Sequence, residues 1–198
     1  MKLLILILIL PTLAVASFGA NASPTELLSG ISIGIGQTHT RVSTDFDLPF
    51  GTVSRGETSS VTVVMARVQR PVTQGLTLGV SLTTAIGDHD AGTVLRDGTL
   101  KLTRPTALDF SAGYSINEKT KLYGLLSYET AKATFSSGTL TKSARLDGFG
   151  TGLGISYQVT KTLEVDVRYK RIYYEPKKIL LTFDASKDLM IYSLVYKF

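Results

Sequence analysis

Asp188-Leu189-Met190-Ile191-Tyr192-Ser193-Leu194-Val195-Tyr196-Lys197-Phe198 is the stretch that decides the fold. Met190, Tyr192, Leu194, Tyr196 and Phe198 fall on one face of it, and Ser193 and Lys197 on the other. A period of two describes an extended strand with one apolar face, because successive side chains of a strand point to opposite sides. Upstream, three segments repeat one pattern: an apolar strand, a very short polar turn, then a strand opening on Leu. They are Arg70-Pro71-Val72-Thr73-Gln74-Gly75-Leu76, Tyr114-Ser115-Ile116-Asn117-Glu118-Lys119-Thr120-Lys121-Leu122, and Tyr157-Gln158-Val159-Thr160-Lys161-Thr162-Leu163. Each reads as a hairpin with a tight turn. Their outgoing strands align as Leu76/Leu78/Val80/Leu82, Leu122/Gly124/Leu126/Tyr128 and Leu163/Val165/Val167/Tyr169. The alignment fixes the parity of each strand, since a slip of one residue would exchange its two faces.

Strands are then predicted at 28–42, 58–70, 75–87, 105–116, 121–135, 145–159, 163–174 and 188–198, with longer connections at 43–57, 88–104, 136–144 and 175–187. An even number of strands, with short turns at one end and long loops at the other, is the pattern of an all-β, transmembrane, eight-stranded antiparallel up-and-down β-barrel. Both chain ends then lie on the short-turn, periplasmic side, and the long loops lie outside.

The predicted lipid face carries Ile31/Ile33/Ile35, Val64/Ala66/Val68, Leu108/Phe110/Ala112/Tyr114 and Leu153/Ile155/Tyr157. Tyr114, Tyr157, Tyr196 and Phe198 form one aromatic level, and Tyr128 and Tyr169 a second, as suits the girdles at two membrane interfaces. The opposite face is small or charged. Gly148, Gly150, Gly152, Gly154 and Ser156 lie beside a polar network of Arg67, Asp109, Glu129, Glu164, Asp166, Arg168 and Lys170. An eight-stranded barrel leaves an interior just wide enough for side chains to fill. Both signs of charge are present, so the network is expected to pair internally as a plug.

Residues 1–22 read as a secretory signal peptide: Met1-Lys2, the apolar run Leu3 to Leu10, Pro11, then small residues to Ala20-Asn21-Ala22, with cleavage expected after Ala22. Residues 23–198 form the single barrel domain. The chain has no Cys, so no disulfide or thiolate site is possible. Its formal charge of +5 comes from dispersed Lys and Arg, which argues against nucleic acid as a partner. No cofactor is expected.

The stretch from Asp109 to Phe198 resembles the small eight-stranded outer-membrane barrels of the OmpX, attachment–invasion (Ail) and opacity-like group. The matching pieces are Ala112-Gly113-Tyr114, Ile116-Asn117, Lys121-Leu122-Tyr123-Gly124, Gly148 to Gly154, Leu163 to Tyr169, and Val195-Tyr196-Lys197-Phe198. The resemblance implies a non-enzymatic surface protein of the Gram-negative outer membrane, with a structural or adhesive role exercised through its outer loops. It also implies a C-terminal assembly signal, Tyr192, Leu194, Tyr196 and Phe198, for the barrel-assembly machinery. Expected partners are outer-membrane lipid, lipopolysaccharide and a host surface ligand, and the protein is expected to be a monomer.

Two alternatives stand beside this reading. One is a lipid A-modifying enzyme using His39, which parity places outward near the upper rim, although no Ser lies two residues away. The other is a soluble periplasmic ligand-binding β-barrel, with the faces inverted and Leu and Tyr inside. His89, between Asp88 and Asp90, reads as a solvated loop tip. Lys177, Lys178 and Lys187 are candidate lipopolysaccharide contacts, since each cation near an anionic membrane surface contributes about 1 kcal/mol.

Overall fold

The computed structural model describes residues 30–48, 51–94, 98–178 and 182–198. The signal segment 1–22 lies outside the described residues. Ten strands are present among them: β1 (Ile31–Leu48), β2 (Gly51–Thr73), β3 (Leu76–Ile86), β4 (Asp88–Val94), β5 (Gly98–Ser115), β6 (Thr120–Ser137), β7 (Leu140–Gln158), β8 (Leu163–Tyr174), β9 (Lys177–Lys178) and β10 (Thr182–Lys197). All neighbouring pairs are antiparallel, in the order β1-β2-β3-β5-β6-β7-β8-β10, and β10 pairs back onto β1. The ring is therefore closed by eight staves, and closure removes the unpaired edges an open sheet would expose.

Three tight turns join β2 to β3, β5 to β6 and β7 to β8, at the end of the barrel where Ile31 and Lys197 also lie. Gly75 takes φ +87°, a left-handed conformation that suits glycine in the first turn. The other two turns are closed by side chains. Asn117 Oδ1 accepts the backbone N–H of Lys119 (2.9 Å) and Thr120 (2.8 Å), and Thr160 Oγ1 accepts that of Leu163 (3.0 Å).

At the opposite end the strands run further than the sequence suggested. The predicted connections at 43–57, 88–104 and 136–144 are mostly ladder, reaching Leu48↔Gly51, Val94↔Gly98 and Ser137↔Leu140. β10 likewise begins at Thr182 rather than at 188. Polar residues such as Ser43 and Asp45 suggested a loop, yet Thr44 and Phe46 alternate with them and are buried. Strands standing clear of a membrane need no apolar outer face, so their polar side no longer marks them as loop.

This extension is split. The β2–β3 ladder ends at Thr62↔Ile86, and after Gly87 the chain enters β4, which pairs with β5 alone among the described residues. The β7–β8 ladder ends at Gly148↔Tyr174. Above the barrel the wall thus divides into two blades, β9-β10-β1-β2 and β4-β5-β6-β7. An apolar core joins them: Val42, Phe46, Ala185 and Leu189 from one blade meet Ala91, Leu100, Leu102, Ala133, Phe135 and Leu146 from the other.

The outer face around the closed ring is apolar and bare. Leu153 is 71% exposed, Leu126 64% and Phe110 53%, and Ile33, Ile35, Leu78, Leu122, Ile155 and Leu194 join them. A contiguous belt of this kind has no place in water. The buried charges lie inside the ring instead, so the faces have the sense of a membrane barrel and not of a soluble one.

Candidate functional site

Inside the ring, charged groups are stacked from the tight-turn end upward. Lys197 Nζ lies 3.3 Å from Glu164 Oε2, and Arg67 bonds Glu164 (2.5 Å) and Asp166 (3.3 Å). Asp166 also accepts Tyr123 Oη–H at 2.6 Å and Arg168 at 2.7 Å. Arg168 reaches on to Asp109 (3.4 Å), which receives Lys170 (2.9 Å) and Ser127 Oγ–H (2.5 Å). Above these, Glu129 Oε1 accepts bonds from Lys187 Nζ and from Tyr174 Oη–H. All seven residues read from the sequence as interior are buried here, and Lys187 joins them to make four carboxylates and four cations.

Matched charge is the condition under which such an interior is tolerable. An isolated buried ion costs several kcal/mol, and only a paired, fully hydrogen-bonded one is compensated. The bare glycines of β7 make the space. A Cβ on Gly154 would collide with the Tyr123 ring, and one on Gly148 would come 2.7 Å from Tyr174 Cδ1. Those two tyrosines supply hydroxyl donors to Asp166 and Glu129. The gap lined by Arg67, Ser81, Asp109, Tyr123 and Arg168 has no room for a water molecule.

Two expectations are corrected. Lys187 is not a rim cation. It is 1% exposed and faces the interior, because β10 runs on through it with Leu189 and Ala185 on the same inward face. It is therefore withdrawn as a lipopolysaccharide contact. The side chains of Lys177 and Lys178 lie outside the described residues. His89 is not a solvated tip either. It is 1% exposed on the inward face of β4, with Nδ1 3.1 Å from Ser59 Oγ. It sits above the membrane belt, its flanking Asp88 and Asp90 exposed. Burial, reinforced by the Lys187 charge, lowers its pKa from 6.5 to about 4.

His39 is exposed on the outer face, as parity predicts, and β-sheet register brings it the Ser that its own strand lacks. Ser60, directly opposite on β2, places Oγ 2.7 Å from His39 Nδ1. The other ring contact is with Tyr192, edge to face at 6.0 Å. No carboxylate orients His39 among the described residues, so the third member of a hydrolytic triad is lacking there. Nor do these residues hold a cluster of three or more His, Asp or Glu able to bind a metal.

The outer face also carries cations just above the belt. Arg104, Lys132 and Arg145 border one open depression of about 490 Å³, with Thr103, Thr130 and Ser143 between them. Arg145 Nε bonds Asp147 Oδ1 at 3.1 Å.

Tyr192, Leu194, Tyr196 and Phe198 all project outward into the belt. Tyr196 and Phe198 meet edge to face at 5.2 Å.

Comparison with known proteins agrees with this architecture. A family model described as outer membrane protein beta-barrel domain matches residues 9–198. The chain is similar in fold to Ail, the attachment invasion locus protein of Yersinia pestis, solved with the heparin analogue sucrose octasulfate. That match has TM-score 0.57 and 20% identity, over 86% of this chain and 99% of that one. It is similar to Neisserial surface protein A with TM-score 0.58 and 16% identity, over 86% and 98%. It is also similar to the outer membrane protease OmpT of Escherichia coli, with TM-score 0.50 and 10% identity, over 90% and 99%. At these identities the likeness is one of fold. No curated protein matches the sequence.

Proposed function

The chain belongs to the outer membrane protein beta-barrel family, and from that premise we propose a non-enzymatic surface protein whose role, structural or adhesive, is exercised by the extended end of its strands. The observation that carries this reading is the seal. Paired charges fill the ring, and the apolar core of the two blades lies over them. An interior closed twice offers little to a solute, so the surface left for a partner is the outside of the blades and their tips. Residues 51–58 of β2 are exposed on both faces.

The same reading places the tight turns in the periplasm and the blades outside the cell. It assigns residues 1–22 to export and Tyr192, Leu194, Tyr196 and Phe198 to recognition by the assembly machinery. The heparin analogue bound to Ail supports a host surface ligand for the blades. In purified outer membranes the protein should migrate on a gel differently before and after boiling. Cells carrying it should bind host cells or matrix more than deletion cells do, and exchange of residues 51–58 should abolish the gain. Equal binding by deletion and wild-type cells removes the adhesive role and leaves the structural one.

A further inference from the structure

We propose that Arg104, Lys132 and Arg145 form a binding site for the phosphorylated sugar headgroup of a lipid in the outer leaflet. The proposal rests on the outward placement of the blades argued above.

The site is built by the backbone. In β5 the pairing jumps between Thr103↔Lys132 and Thr106↔Thr130, so Arg104 and Pro105 both stand opposite Ala131. This is a bulge, where an extra residue bends the strand and re-aims its side chains, and where proline is tolerated. Arg104 adopts φ +44°, the one left-handed non-glycine residue among those described. Such a conformation is strained for a side chain as large as Arg, and strain of this kind gathers at functional sites. Here it adds a third cation beside the other two.

Lys132 and Arg145 are register partners across β6 and β7. Like charges directly opposite on one sheet face repel. Asp147 answers Arg145, and no ion pair is formed by Arg104 or Lys132 among the described residues. Three cations therefore face one carboxylate in an open depression lined with Thr and Ser hydroxyls. Phosphate oxygens satisfy both kinds of group.

Height selects the source of that phosphate. Immediately below Arg145 on β7 come Asp147 and then Phe149, 62% exposed. Tyr128 packs on Phe149 at 5.0 Å and bonds Asp147 at 2.9 Å. Tyrosine with an apolar body and a polar tip belongs at the headgroup boundary. The cations thus stand at headgroup level, over an aromatic surface suited to acyl chains.

The test uses the full mature chain folded into phosphatidylcholine vesicles, with the temperature at which the boiling-type band shift occurs as the readout. Bisphosphorylated lipid A in the vesicles should raise that temperature, and added salt should reduce the effect. Each of Arg104→Gln, Lys132→Gln and Arg145→Gln should weaken apparent lipid A affinity roughly fivefold. Lys119→Gln with Lys161→Gln, at the tight turns, should leave it unchanged. Protection of the triple variant equal to wild type would overturn the proposal. So would equal protection by dephosphorylated lipid A, no protection of the wild type, or equal protection by millimolar inorganic phosphate without lipid A. The band shift reads the barrel and its lipid dependence reads the site, so the two readings fail separately.

Discussion

Lys187 on β10 and Glu129 on β6 reach each other across the lumen, and their contact is the uppermost ion pair of the sealed interior. β7 and β8 lie between the two strands, so this pair ties parts of the wall that no backbone ladder joins directly. Lys187→Met should leave Glu129 buried with the Tyr174 hydroxyl as its remaining hydrogen bond and Lys170 as the remaining cation near it. Breaking one partner of a buried pair costs about 3–5 kcal/mol. Lys187→Met with Glu129→Gln should recover much of that loss. Urea unfolding of the four proteins in detergent micelles gives the cycle. Losses in the two single variants that add up to the loss in the double would show that the pair contributes no coupling.

His89 makes acid destabilising at the blades. Its folded pKa is lowered to about 4, so the folded form prefers the neutral ring. Between pH 6.5 and pH 4 the unfolded chain binds the extra proton. The stabilising contribution is therefore complete above pH 6.5 and is lost progressively as pH falls toward 4, to a total on the order of 3 kcal/mol. Amide exchange in β4 should accelerate over that window. His89→Gln should flatten the pH dependence. An unchanged slope in the variant would assign the effect to other groups.

Gly154 and Tyr123 compete for one volume. Gly154→Ala should destabilise the barrel by roughly 1–3 kcal/mol through overpacking, and also displace Tyr123 from Asp166. Tyr123→Leu on that background should relieve the clash. Failure of the second substitution to recover any stability would mean that the hydroxyl bond to Asp166, and not space, dominates.

The belt should be intolerant of charge in proportion to depth. Leu126→Arg is expected to cost about 2–4 kcal/mol on folding into vesicles, while Ser54→Arg at the tip of a blade should cost almost nothing. Equal costs at the two positions would contradict the placement of the membrane.

The eight staves, their parity and the two faces were legible in the sequence because alternation is imposed by the pleat itself, while β4 and β9 fell in segments read as loop. The seven interior charges followed from parity alone. Lys187 and His89 did not, since each lies beside Asp and in a segment read as loop. Yet the alternation carried both: Lys187 is in phase with Leu189, and His89 is opposite in phase to Asp88 and Asp90. The Tyr123 and Tyr174 bonds depend on which carboxylate stands across the lumen, and no local pattern records that. His39–Ser60 and the Arg104, Lys132 and Arg145 group depend on register between strands, which one strand's sequence leaves open. The bulge at Arg104-Pro105 was marked only by its proline.

The two blades share a core that ends well below the tip of the β1–β2 hairpin. Beyond Phe46 the described part of that hairpin meets the other blade through Arg55 and Glu57, which lie against Gly92 of β4. Residues 51–58 belong neither to the apolar core nor to the ion pairs beneath it. A changed side chain there meets open space on most sides, whereas one inside the ring meets a charged partner across the lumen, so variation is cheap in the first place and costly in the second.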